Sequence, residues 1–246
     1  MPSSIMSLSP FTKQMHSIPI LSQPDLLHHR SNEMVRFLLR NHVGTNETIR
    51  RVVVPEVQKP TAQKLIVRLI KRGLLKRWPL HASKSYLRLG SAAIARWQYP
   101  QSYSRRLGPQ VLPYQLGCLS LMANSQPSIQ RLLPEELAQA FPDFPNTRDL
   151  HQWAYYLDSS GPASKLVTVR VEYRVGGEAV INKVAEQLHR YRQHPCVNRL
   201  LDEQRFIVHV VTATAEQEMA LWDAADRLRF PAILRTAHDK SLTLFL

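Results

Sequence analysis

Thr61, Lys64, Arg68 and Lys71 recur at three- and four-residue intervals in the segment KPTAQKLIVRLIKR, with Gln63 beside them. On an α-helix this spacing stacks side chains along one face. A row of hydroxyl, amide, ammonium and guanidinium donors suits the edge of a nucleic-acid groove. There Arg and Lys pair with guanine, and amides with adenine. No acid interrupts the stripe, whereas an ordinary solvated helix face mixes both signs. Lys64 and Arg68 are the expected base-reading pair.

The stripe needs a scaffold, and the flanking sequence supplies one. Ala62, Leu65, Ile66, Leu69 and Ile70 take the opposite face of the same helix. That helix is expected to open at Lys59-Pro60, where proline is favoured, and to stop at Gly73. Upstream, Ser31 is placed to cap a helix that carries Met34, Phe37 and Leu38 on one face and ends near residues 41–44. A short second helix over residues 46–53 would turn Ile49, Val52 and Val53 inward and Arg50 and Arg51 outward, before Pro55 stops it. Residues 74–78 and 86–89 read as strands joined by a polar turn, and residues 91–97 as a closing helix. A β-hairpin directly after a basic third helix is the wing of a winged helix-turn-helix. Arg50, Arg51, Lys76, Arg77, Lys84 and Arg88 are expected to hold phosphates beside the groove.

Charge is sorted in the same way. Residues 30–110 hold 17 Lys and Arg against 3 acids, whereas residues 111–246 hold 14 against 15. The formal +13 of the 246-residue chain therefore belongs to one segment. Such a block attracts a polyanion, because each cation that neutralises a phosphate releases a condensed counterion. Duplex DNA is the expected partner. RNA within a larger nucleoprotein assembly is the alternative, since phosphate contacts carry no sequence information. Paired half-sites make a homodimer a natural arrangement.

Other chemistry is poorly served. The 8 glycines form no phosphate-cradling loop, and Walker A, GxGxxG and GxSxG sequences are all missing. Cys118 and Cys196 stand far apart without a CxxC, and the 10 His are scattered. Neither a metal site, a disulfide framework nor a cofactor is expected. No apolar run reaches the ~20 residues that span a bilayer. The Ser/Pro-rich residues 1–29 read as a flexible arm rather than a signal peptide, which fits a cytoplasmic location.

Residues 99–150 mix Pro, Gly and Tyr and read as a linker with short helices at 117–122 and 134–141. From residue 151 the pattern turns to α/β. Strands are expected at 153–157, 165–175, 206–212, 232–234 and 242–245, with helices at 178–192 and 216–228. In the second strand Val167, Val169, Val171, Tyr173 and Val175 share one face, and Thr168, Arg170, Glu172 and Arg174 the other. The expected fold class is α+β: a winged helix-turn-helix over residues 30–98, then a small mixed-sheet α/β domain over residues 151–246.

Three segments, YLRLGSAAIARW, RLLPEELAQAFP and VTVRVEYRVGGEAVINKVAEQLHRY, resemble the plasmid replication-relaxation family of bacterial mobile elements. The resemblance spans most of residues 30–230. It implies a winged helix followed by a domain related to the PD-(D/E)xK nuclease fold, and a nucleoid-associated role in replication, transfer or transposition. That nuclease fold sets an Asp, a second acid and a Lys around a divalent cation that activates water. The residues that would fill those places are Asp143, Glu172 and, where Lys would stand, Arg174. An arginine does not readily exchange a proton, and Glu172 between Arg170 and Arg174 also suits a structural ion pair. The resemblance thus implies a catalytically degenerate domain used for docking or self-association, with a metal-dependent nuclease as the alternative.

Overall fold

The computed structural model describes residues 23–81, 83–124, 129–144, 154–174 and 176–246. Residues 1–22 of the expected arm, Trp153 and Val175 lie outside the described residues. Helix α1 (Gln23–Asn41) begins well before Ser31, with Pro24 in its first turn, so residues 23–29 are helical rather than part of an arm. Ser31 is therefore a buried residue within the helix rather than its N-cap. Helix α2 (Asn46–Thr48) is capped by Thr45, whose Oγ1 accepts from the Thr48 amide at 3.0 Å, and it continues as a π-helical turn over Ile49–Val53. Helix α3 (Lys59–Lys71) follows, and just beyond it Gly73 takes φ 68°, the left-handed conformation that ends a helix at little cost to glycine.

Strands β1 (Leu75–His81) and β2 (Lys84–Leu89) pair antiparallel, with Trp78 opposite Tyr86, and α4 (Ser91–Trp97) closes the unit. Met34, Leu38, Ile49, Ile66, Leu69, Leu75, Leu87 and Leu89 share one buried cluster. The second face of the hairpin is covered too, by residues 99–107. Trp78 Nε1 donates to the Ser104 carbonyl at 3.2 Å, and the Leu107 amide donates to the Tyr86 hydroxyl at 3.0 Å.

The expected linker is more ordered than its composition suggests. Helix α5 (Val111–Asn124) is 14 residues long and serves two cores. Leu112, Leu116 and Leu119 enter the N-terminal cluster, while Cys118 and Leu121 enter a second one. Gly117 permits this close packing, since a Cβ there would lie 2.5 Å from Val171 Cγ2.

The remaining elements are β3 (Ile129–Arg131), α6 (Pro134–Ala140), β4 (Ala154–Asp158), β5 (Lys165–Glu172), α7 (Gly177–Tyr191), α8 (Pro195–Asp202), β6 (Phe206–Thr212), α9 (Ala215–Arg227) and β7 (Ile233–His238). They build a mixed sheet in the order β3-β4-β5-β6-β7, antiparallel up to β5 and parallel beyond it. Helices α7 and α9 cover one face over Leu166, Val208 and Val210. Helix α5 and the C-terminal turn cover the other over Val167, Val169 and Ile207. Strand β6 is buried along its whole length, as a strand covered on both faces must be.

Four further local features depart from the sequence expectation. Strand β5 ends at Glu172, so Arg174 lies beyond it. Residues 242–245 are not a strand but part of a 3-10 turn, Lys240–Phe245, begun where the Asp239 carboxylate accepts from the Ser241 amide at 2.8 Å. Helix α8 and strand β3 are additional elements. Among the described residues no helix is long and apolar enough to cross a membrane.

Candidate nucleic-acid interface

The 17 cations of residues 30–110 fall into three groups. Five are paired: Arg30 with Glu56 at 3.0 Å, Arg36 with Glu33 at 2.9 Å, Arg40 with Glu136 at 2.6 Å, and Arg50 and Arg51 both with Glu47 at 2.8 and 2.7 Å. One, Arg88, is buried. The remainder are exposed, and among the described residues no acid lies within ion-pair distance of them. Lys59, Lys64, Arg68, Lys71 and Arg72 belong to α3 and its end, and Lys76, Arg77 and Lys84 to the hairpin. Arg96, Arg105 and Arg106 follow it. Behind this sorting is a long acid-free stretch: residues 57–134 contain neither Asp nor Glu.

Helix α3 turns its two faces as its periodicity implies. Ala62, Leu65, Ile66 and Leu69 are buried, whereas Thr61, Gln63, Lys64, Arg68 and Lys71 are exposed. At ~100° per residue, Thr61, Lys64, Arg68 and Lys71 occupy an arc of about 80°. Gln63 falls outside that arc. It lines a cleft against α2 with Asn46, Glu47 and Arg50, apart from the rest of the stripe. Val67, 41% exposed, stands beside the stripe and offers the apolar surface that a thymine methyl would meet. Being apolar, it gives no signal in the charge pattern. Lys71 and Arg72 close the helix, where cations suit the helix dipole.

Arg50 and Arg51 are less available than their outward position suggests. Glu47 accepts from both, and those hydrogen bonds, Arg50 first, hold its carboxyl down at about 2. A phosphate would compete with Glu47 for them.

Arg88 is the clear correction among the expected phosphate ligands. It does point away from Leu87 and Leu89, as strand alternation requires, but residues 99–107 cover that side. Only 5% exposed, it donates through Nε to the His42 carbonyl at 3.0 Å and through Nη1 to the Arg105 carbonyl. It ties the hairpin to two loops and reaches no solvent-borne phosphate. Lys76, on the same face nearer the edge, stays exposed with Nζ 4.2 Å from the Trp78 ring centroid. Arg77 on β1 and Lys84 beside the hairpin turn are exposed as expected.

No family model, curated protein or solved structure matches this chain.

The three residues that the nuclease resemblance selects are committed elsewhere or stand apart. Glu172 accepts from Arg170 Nε at 2.6 Å, with the two side chains 18% and 12% exposed. Arg174 donates to the Phe245 carbonyl at 3.2 Å and lies 5.1 Å from the Tyr173 ring centroid. Asp143 is exposed in the turn after α6. Among the described residues no hydrogen bond or ion pair joins these three, and no three His, Cys, Asp or Glu gather as metal ligands would.

Proposed function

We propose that the chain is a non-enzymatic DNA-binding protein in which residues 30–98 act as a winged helix. Helix α3 enters the major groove with Lys64 and Arg68 at base edges, and Arg77 and Lys84 hold phosphates from the hairpin. The observation that carries this reading is the division of the basic residues. Acids neutralise those on α1 and α2, while those on α3 and, the buried Arg88 apart, on the hairpin are left exposed with no acid at ion-pair distance among the described residues. Holding so many like charges on one unit is unfavourable unless a polyanion completes it. The near-neutral α/β half serves docking or self-association, and a role on a bacterial mobile element follows from the family resemblance.

The test is a duplex gel shift at moderate salt with K64A/R68A. Each base-edge hydrogen-bonding pair is worth about 1–3 kcal/mol, so the double variant should bind at least roughly tenfold more weakly. Unchanged affinity in a folded variant removes α3 as the reading helix. Equal competition by RNA would shift the assignment toward a structural subunit of a nucleoprotein assembly.

A further inference from the structure

A small cleft of about 50 Å³ opens at the C-terminal end of α3, where α1 and α4 come together. Arg72 and Arg96 line it from two sides, with Asn32 and His28 of α1 and the ring of Trp97. No acid lines it. Glu33, next to Asn32 on α1, is turned to Arg36 at 2.9 Å.

The cleft is held in shape by backbone rather than by its charged side chains. The Ala92 amide donates to the Gly73 carbonyl at 3.0 Å, and the Gly90 amide to the Leu74 carbonyl at 2.8 Å. These bonds pin the start of α4 against the turn that carries Arg72. A Cβ at Gly90 would lie 2.1 Å from the Gly73 oxygen, so only glycine allows this approach. Arg96 lies over Trp97 at 5.1 Å from the ring centroid, a cation–π contact that limits where its guanidinium can go. The outcome is a small space lined by two arginines, an asparagine and a histidine beside Leu74 and Trp97.

We propose that this cleft seats a backbone phosphate of the duplex whose groove α3 enters. Two arginines with no acid among the described lining residues favour an anion, and the size of the cleft suits a single tetrahedral oxyanion rather than a base. Arg72 follows Arg68 by one helical turn, so the charge of the stripe runs on into the cleft. A phosphate held there fixes the register of α3 in the groove without reading sequence. The proposal rests on the DNA-binding reading above and adds an anchoring point on the side of α3 away from α2.

The experiment measures duplex affinity of the full chain by fluorescence anisotropy over a range of salt concentrations, for wild type, R72Q/R96Q and K64A/R68A. Removing one phosphate ligand lowers the slope of log affinity against log salt by about one. R72Q/R96Q should bind roughly tenfold more weakly at about 0.1 M salt, with that lower slope and for any duplex sequence. An unchanged slope in R72Q/R96Q, while K64A/R68A binds more weakly, overturns the phosphate seat and leaves the DNA reading standing. Failure of the wild type to bind duplex at low salt overturns both. Should the double variant not fold, R72Q and R96Q are read singly: a lowered slope in either supports the seat, and an unchanged slope in both overturns it.

Discussion

Arg40 and Glu136 meet at two points, Nη1 to Oε2 at 2.8 Å and Nη2 to Oε1 at 2.6 Å, although 96 residues separate them in the chain. Arg40 stands in the last turn of α1 and Glu136 in the first turn of α6, so the pair fastens the basic unit to the side of the sheet. Arg131 strengthens the joint by donating to the Asn41 carbonyl at 3.2 Å and to Gln115 at 3.1 Å. Glu136 also accepts from the Leu133 amide at 2.9 Å and so caps its own helix. Both side chains are shielded over most of their surface, which makes this pair worth more than an exposed one. We expect E136Q and R40Q each to lower unfolding stability by about 1–2 kcal/mol, and the double variant by less than their sum. Strict additivity in urea denaturation would remove the pair as a fastening.

Arg88 and Arg77 separate a structural cation from an exposed one. The two residues are near neighbours across the hairpin, yet one is buried on two carbonyls and the other is exposed. R88M should cost about 2–4 kcal/mol, because it strands two carbonyls that a charged donor satisfied. R77Q should change stability by less than about 0.5 kcal/mol while weakening duplex binding. A fully stable R88M in thermal melts would contradict the structural role of Arg88.

Which of these features are legible in the sequence follows from the physics of each segment. Helix α3 is readable because its inner face is apolar, its outer face is polar apart from Val67, and Gly73 stops it. Helix α7 is readable for the same reason, with Val180, Ile181, Val184 and Leu188 all buried at helical spacing. Helix α5 is not, since it is apolar nearly all round in order to serve two cores, and its periodicity is therefore weak. The burial of Arg88 depends on residues 99–107 folding back over the hairpin, a tertiary arrangement with no local signature. The cleft of Arg72 and Arg96 is hidden because its walls come from three separate helices. Alternation shows that Glu172 and Arg170 share a face, and the structure adds that they bond each other.

One buried and one half-buried histidine should make the fold sensitive to mild acid. His209 shares its face of β6 with Ile207 and Val211, and its Nε2 finds no hydrogen-bond partner among the described residues. Burial first, then the charge of Arg235, lowers its pKa to about 4, while Glu218 opposes the shift. His42 is lowered to about 4 by burial, then Arg131 and Arg88. In the unfolded chain both titrate near the usual ~6.5. Between those values the unfolded state takes up protons that the folded state refuses. The stabilisation is complete above about pH 6.5 and is lost as pH falls toward about 4. For His209 the loss should be about 2–3 kcal/mol by about pH 4. Denaturation midpoints measured from about pH 7 to about pH 4 should fall less steeply in H209Q, and equal slopes would show that His209 is not the group responsible.

Glu172 gives the most direct test of whether the α/β half does chemistry on DNA. A metal-assisted hydrolase needs carboxylates free to bind a cation, with a proton-exchanging group beside them. Here the Glu172 carboxylate is engaged by Arg170 at 2.6 Å, and Arg174, where a lysine would act, is engaged by the Phe245 carbonyl. Freeing Glu172 would leave Arg170, only 12% exposed, without its counter-charge. Supercoiled plasmid incubated with the protein and Mg²⁺ or Mn²⁺ is therefore expected to stay intact. E172A should instead lose stability, by about 1–3 kcal/mol, through the stranded Arg170 guanidinium. Substituting both as R170M/E172M should restore much of that stability, since an apolar pair leaves no charge unpaired. Plasmid cleavage by the wild type that disappears in E172A would reverse the assignment and make Glu172 a catalytic carboxylate.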